Sequence, residues 1–286
     1  MDRNFRERLH QFVALAMKED VGEGDHTTLS TVSVSQSGEA KLLVKEAGVL
    51  AGVEVGLEII QQIDPAMQIE QLCNDGDLVS VGDIVLYMRG KIHSILKIER
   101  LLLNVMQRMS GIATRTREYV ELLRGTATQV LDTRKTTPGI RFLEKEAVRI
   151  GGGANHRFGL YDMILIKDNH VDYAGGIAAA LDSAFAYRTA KGLSIPIEIE
   201  VRNEQELKEV LNSSERVDRV MLDNFTPEDT RKAVDMIAGR LITESSGGIT
   251  FDTIRSYALA GVDFVSVGAL THSVKSLDLS LKAKLI

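Results

Sequence analysis

Six short apolar runs, each separated from the next by an amphipathic stretch, constrain this chain more than any other feature. The runs are ATQVLDT, MILIKD, IPIEIEV, RVMLDN, RLITES and DFVSVG, and the stretches between them fall near residues 140–149, 178–189, 204–211, 227–238 and 253–259. Apolar runs of strand length that alternate with helix-length amphipathic segments are the pattern of parallel strands joined by crossover helices. A long helical stretch precedes the first run. An α/β barrel with fewer strands than the usual eight fits this rhythm, and an open doubly wound sheet is the alternative.

The chain up to about residue 112 has a different texture. NFRERLHQFVALAMKED places Phe5, Leu9, Phe12, Val13, Ala16 and Met17 on one helical stripe, and the Gly-rich VGEGDHTT reads as the turn that ends it. From about residue 38 to 90 the pieces are short and β-like, and helical text resumes at Ile92. The expectation is therefore α/β: an α+β domain over 1–112, then an incomplete barrel over 113–270. DGDLVSVGDIVLYMRG has the paired Gly-Asp turns of biotinyl and lipoyl carriers, but no Lys stands at a hairpin tip, so it reads as structural.

Composition narrows the function. The 286 residues carry a formal net charge of −6 and are 44% hydrophobic, a soluble globular composition whose acidic balance argues against a general nucleic-acid binder. Cys73 is the single cysteine, which excludes an intramolecular disulfide and a Cys-rich zinc site. The opening MDRNFRERLHQ has no apolar signal core, and no apolar run approaches bilayer length. A cytoplasmic location with neither nucleic-acid nor membrane partners is expected.

The polar residues then fall into place. The apolar runs end in Asp132 and Arg134, in Lys167 and Asp168, in Glu200, in Asp223, in Glu244 with Ser245 and Ser246, and in Gly268. In a barrel the carboxyl ends of the strands converge on one face, where active sites are built. Between residues 131 and 170 there are seven Lys/Arg against five Asp/Glu, a local excess of cations in an acidic chain. Arg141, Lys145 and Arg149 are spaced along a helix and read as ordinary salt bridging. Arg134, Lys135 and Lys167 stand at strand ends and read as ligands for an anion. Glu200 and Asp223 close consecutive strands, a pairing that suits Mg²⁺, which takes one or two carboxylates plus substrate oxygens. Glu198 shares a strand face with Glu200, so either of the two could face the metal. ESSGGIT and VGALTHS leave small residues after the last two strands, where phosphates are commonly bound. GGGANHRFG lacks the third glycine of a dinucleotide fingerprint and reads as a helix stop that carries His156 and Arg157 into the pocket.

Together VLDTRKTTPGIR, GGGANHRFGLYDMILIKDNH, VMLDNF, ESSGGI and GVDFVSVGALTHS resemble the quinolinate phosphoribosyltransferase family, and EDVGEGDHTT resembles its opening signature. The resemblance implies an N-terminal open-faced sandwich domain, an about seven-stranded α/β barrel, and a C-terminal tail, 271–286, that rejoins the first domain. The implied reaction joins quinolinate to phosphoribosyl pyrophosphate (PRPP) with decarboxylation, giving nicotinate mononucleotide, CO₂ and pyrophosphate. Quinolinate would be held by Thr133, Arg134, His156, Arg157 and Lys167, with Arg100 reaching in from the second subunit of a homodimer. PRPP would meet Lys135, Ser246, Gly247, Gly248 and Gly268, with Mg²⁺ at Glu200 and Asp223; Lys135, Glu200 and Asp223 carry the catalytic charge. The alternatives are a related enzyme acting on another aromatic acid, or a barrel that binds a metabolite without catalysis.

Overall fold

The computed structural model describes residues 1–285, with side chains described through 283. Its elements run α1 (Arg3–Val21), α2 (His26–Thr31), β1 (Ser37–Val44), β2 (Gly48–Val49), α3 (Val53–Ile63), β3 (Gln68–Gln71), β4 (Leu78–Val79), β5 (Ile84–Lys91) and α4 (Ile92–Leu122). They continue with β6 (Gln129–Leu131), α5 (Arg141–Ile150), β7 (Ile164–Ile166), α6 (Asp168–Ala174), α7 (Ile177–Ala190), β8 (Ile197–Val201) and α8 (Glu204–Leu211). β9 (Arg219–Asp223), α9 (Pro227–Ile237), β10 (Ile242–Ser246), α10 (Ile254–Leu259), β11 (Phe264–Ser266), α11 (Ala269–His272) and β12 (Leu279–Leu285) complete the chain. Among the described residues no helix is long and apolar enough to cross a membrane.

Contacts divide the chain into two compact units. One comprises Met1–Arg117, Thr136–Gly152 and the chain from Leu270 onward; the other comprises Glu118–Lys135 and Gly153–Ala269. In the first unit an antiparallel sheet runs β12-β1-β5-β3, with β2 paired to β4. β1 alternates buried and less buried positions along its length, the signature of a strand with one face on a core. That core includes Leu42, Val44, Leu86, Met88, Leu102 and Met106. β12 pairs with β1 from Gly38↔Leu285 to Val44↔Leu279, so the late strand closes the early sheet; Ile286, the last residue of the expected tail, lies outside the described residues. The expected turn at VGEGDHTT is only partly a turn. Asp25 accepts a hydrogen bond from the Thr28 amide at 3.0 Å and so starts α2, a short helix that the glycines around it conceal in the sequence.

Thr136–Gly152, which the strand-helix rhythm places among the barrel crossovers, has its contacts in the first unit. Glu144 on α5 is fully buried; it meets Arg108 of α4 at 2.9 Å and accepts from the amide and hydroxyl of Thr137 at 3.0 and 2.8 Å. A buried carboxylate is expensive unless paired and hydrogen-bonded, and these partners fix where α5 must lie.

The second unit is a six-stranded parallel sheet in the order β6-β11-β10-β9-β8-β7. Neighbours in space are neighbours in sequence until β11, which pairs with β6, the first strand. A doubly wound sheet reverses direction at a switch point; this one comes round to meet its own start, as a barrel does. A seventh position is held by one residue, since Ala154 makes a parallel bridge to Leu131. Two of the crossover helices, α8 and α9, begin on side-chain caps close behind their strands. Asn203 accepts from the Glu206 amide, and Thr226, followed by Pro227, accepts from the Asp229 amide.

Gly111, within α4, marks a close approach. A Cβ there would lie inside contact distance of the Lys275 carbonyl oxygen and 3.0 Å from Ser276 Cα, backbone that cannot swing aside. Gly111→Ala is expected to lower stability by about 1–3 kcal/mol, read as a lower urea midpoint.

Candidate active site

The site is assembled on the inner face of the second unit's sheet. Register alignment puts Glu198, Arg219 and Ile242 in one layer; Glu200, Met221, Glu244 and Phe264 in the next; and Asp223, Ser246, Ser266 and Leu131 in a third, at the carboxyl ends. Barrel interiors are usually filled by branched apolar residues. Here most of these positions are polar.

Four side chains meet in that interior: Glu198, Arg219 and Glu244 from three consecutive strands, and His156 from the segment that follows α5. His156 Nε2 lies 3.0 Å from Glu198 Oε2 and 3.5 Å from Glu244 Oε2, and Arg219 Nη1 lies 3.1 Å from the same Glu244 oxygen. Arg219 also sits over the Phe264 ring, 4.5 Å from its centroid. The Arg157 amide donates to His156 Nδ1 at 2.8 Å, which assigns the ring proton to Nε2 on the carboxylate side. Glu198 and Glu244 are both completely buried. Burial pushes the Glu198 carboxyl up to about 7, against the pull of Arg219; burial and then the Glu198 charge push Glu244 up to about 7. His156, Glu198 and Glu244 present ligand atoms within 4.8 Å of one another, but Arg219 already supplies a cation there.

Toward the carboxyl ends lies the mouth. Glu200 is buried and holds Lys167 Nζ at 2.8 Å, with Lys167 about half exposed. The structure thus separates the two glutamates of β8: Glu198 faces the His156 cluster, and Glu200 faces Lys167 at the strand ends. Asp223 is half-buried and accepts from Asn224 Nδ2 at 2.6 Å. Arg134 and Lys135 are exposed just past β6, where the Thr133 hydroxyl accepts from the Lys135 amide at 3.0 Å. Arg157 is half-buried; burial first, and then the charge of nearby Arg134, hold its guanidinium below the ordinary value. After β10, Gly247 has φ +94°, and a Cβ there would strike Asn224, whose backbone nitrogen would be 2.7 Å away. Gly248 follows with φ +60°, and Gly268 follows β11. Ser246 through Gly248 therefore form a tight, side-chain-poor loop, but the helix after it starts at Ile254 rather than near Phe251.

Most of the expected residues are thus gathered on one face of one sheet. Arg100 is not among them: it is exposed on α4, in the other unit. The strand-end reading left Glu244 without a role and passed over Arg219. The available signal was the spacing in RVMLD, where Arg219 and Asp223 share a face with the apolar Met221 between them.

A barrel with a cationic rim, a carboxylate pair and small-residue loops defines a class, the barrel enzymes that handle phosphorylated, anionic substrates. Residues 25–110 match the family described as quinolinate phosphoribosyl transferase, N-terminal domain, and residues 112–282 match its C-terminal domain. The chain belongs to the quinolinate phosphoribosyltransferase family. It is 44% identical to the Arabidopsis thaliana protein named nicotinate-nucleotide pyrophosphorylase [carboxylating], over 96% of this chain and 82% of that one. It is 43% identical to a Nicotiana tabacum quinolinate phosphoribosyltransferase [decarboxylating], over 94% and 81% of the two chains. Among solved structures, NadC from Streptococcus pyogenes superposes with a TM-score of 0.92 at 38% identity, covering 98% of both chains. The nicotinate-nucleotide pyrophosphorylase from Francisella tularensis gives 0.91 at 39%, covering 98% of this chain and 97% of that one.

The buried acids set a pH dependence. An unfolded glutamate titrates near 4.5, whereas in the folded chain Glu198 and Glu244 titrate near 7. Between those values the folded state keeps protons that the unfolded state has lost, so their contribution is full below about 4.5 and is lost as pH rises through about 7. Urea midpoints across that window should fall with rising pH, and Glu244→Gln should make the fall shallower. An unchanged slope would contradict the assignment.

Proposed function

We propose that this chain catalyses phosphoribosyl transfer from PRPP to quinolinate with decarboxylation, yielding nicotinate mononucleotide, CO₂ and pyrophosphate. The observation that carries the reading is the arrangement of charge. Arg134, Lys135, Arg157 and Lys167 stand beyond the first strands of the sheet, while Glu200 and Asp223 stand at the ends of the next two. Quinolinate brings two carboxylates to this face, and PRPP brings a phosphate and a pyrophosphate. Arg134, Arg157, Lys167 and Thr133 hold quinolinate, while His156, expected among these ligands, lies buried beneath them with both ring nitrogens turned to the protein; Lys135, Ser246, Gly247, Gly248 and Gly268 hold PRPP.

Lys167 and Glu200 neutralise one another in the free chain. A substrate carboxylate takes Lys167 from Glu200 and leaves that carboxylate for a cation. The donor set fits Mg²⁺: two carboxylates on consecutive strands, each with one oxygen engaged, by Lys167 Nζ on Glu200 and by Asn224 Nδ2 on Asp223. When bound, Mg²⁺ neutralises charge on the departing pyrophosphate. Lys135 assists that charge, and the arginine pair orients the ring so that its nitrogen faces the ribose anomeric carbon. The anomeric C–O bond breaks as the N–C bond forms, and pyrophosphate leaves with the bonding pair. The quaternised ring then accepts electrons when the bond to the 2-carboxylate breaks. CO₂ departs, and the carbon takes up a proton. No covalent enzyme intermediate is required.

The functional form we propose is a homodimer in which Arg100 of one copy enters the other's site. The exposed Leu160, Tyr161 and Tyr173 supply apolar surface for a partner to cover.

Carboxyl-labelled quinolinate with PRPP and Mg²⁺ should release labelled CO₂ and give nicotinate mononucleotide, while nicotinate gives no product. Chelation should abolish turnover, and added Mg²⁺ should restore it. Product from nicotinate alone would keep the fold and reassign the substrate. Arg134→Ala should raise KM for quinolinate by roughly tenfold to a hundredfold and leave KM for PRPP much less affected; equal losses would remove Arg134 from the quinolinate subsite.

A further inference from the structure

His156 and Arg157 lie on a segment with almost no strand of its own. Its place in the sheet rests on a single parallel bridge, in which the Ala154 amide donates to the Val130 carbonyl at 2.9 Å and the Asp132 amide donates to the Ala154 carbonyl at 3.2 Å. A one-residue bridge holds a chain poorly, since its neighbours on either side have no ladder to restrain them.

Two carboxylates take over where the ladder stops. Asp132, completely buried at the end of β6, accepts from the His156 amide through Oδ1 at 2.9 Å. On the far side, Asp162 accepts from the Phe158 amide at 2.6 Å and the Gly159 amide at 2.8 Å. Between these anchors, the Arg157 amide is held by His156 Nδ1, and its guanidinium donates to the Met163 carbonyl at 3.3 Å. Asp132 therefore grips the segment with its main chain at residue 154 and with its side chain at residue 156. It also stands two residues before Arg134. The two guanidinia are close enough for the Arg134 charge to act on Arg157, so the spacing of a two-arginine fork depends on how β6 and this segment are joined.

We infer that Asp132 is a positioning residue for quinolinate binding, whose buried carboxylate fixes the His156 amide and so sets Arg157 beside Arg134. The inference rests on the reading of Arg157 as a quinolinate ligand. What the geometry asks of Asp132 is an acceptor oxygen at the His156 amide. An asparagine keeps that oxygen and an alanine removes it.

The experiment compares Asp132→Ala, Asp132→Asn and Arg157→Ala by steady-state kinetics well below their unfolding temperatures, with amide hydrogen exchange at His156. Asp132→Ala should raise KM for quinolinate about tenfold with KM for PRPP nearly unchanged, and should speed exchange at the His156 amide. Asp132→Asn should recover most of both losses. If Asp132→Ala only lowers the unfolding temperature and leaves both KM values alone, the residue is merely structural and the inference fails. Equal damage from Asn and Ala overturns it too, because an acceptor would then not be what Asp132 provides. Arg157→Ala separates the parent reading: should it leave KM for quinolinate unchanged, the ligand assignment falls, whatever Asp132 does.

Discussion

Glu198 and Glu244 lie fully buried on the inner face of a parallel sheet, and the residues above them are arranged around that constraint. Bringing a carboxylate out of water costs several kcal/mol even after relaxation. Two of them can stay only because His156 and Arg219 lie within hydrogen-bond or ion-pair range and because the acids keep a proton up to about 7. The consequence for the site is a fixed charge beneath it. The His156 ring carries carboxylates at ion-pair distance on one edge and accepts from a backbone amide on the other, and the residue that follows it is Arg157. The mouth above contains pairs that can exchange partners, such as Lys167 with Glu200; the floor beneath it does not.

This division also answers why an acidic chain gathers cations over residues 131–170. In the proposed reaction Arg134, Lys135, Arg157 and Lys167 balance charge that the substrates bring, while Arg149 on α5 pairs with Glu146. The excess is confined to the ends of β6 and β7 and the segment between them, while the next two strand ends offer carboxylates. In the proposed reaction, anions are received on one side of the mouth and a cation on the other, with no need for net positive charge over the molecule.

How much of this could be read from the residues follows from what each class of residue reports. The strands of the second unit were legible because their apolar residues are buried against the helices, and the polar residues that end them mark the functional edge. The same burial hid the interior cluster. Glu198 and Glu200 share a face, and period-two alternation cannot say which sits deeper. Arg219 opens a strand and looks like a solvated end, yet the sheet's closure turns it inward. The bridge at Ala154 was invisible because one residue has no periodicity. The helix α2 was masked by the glycines before it, and its only local sign is the Asp25 cap. The assignment of α5 to the first unit depends on a long-range pair, Arg108 with Glu144, which no local pattern encodes.

The pairing of β12 with β1 has a consequence in time as well as in space. The described chain makes β1 and β5 early and β12 last, and the whole of the second unit's sheet is synthesised between them. As the chain leaves the ribosome, the long edge of β1 must wait, its amides and carbonyls answered only by solvent, until some two hundred and thirty further residues have been added. The sheet that is first to be spelled out is the last to be finished. Its stability is contingent on the arrival of a strand encoded far downstream, and a nascent chain arrested before β12 would offer that edge to whatever strand came first.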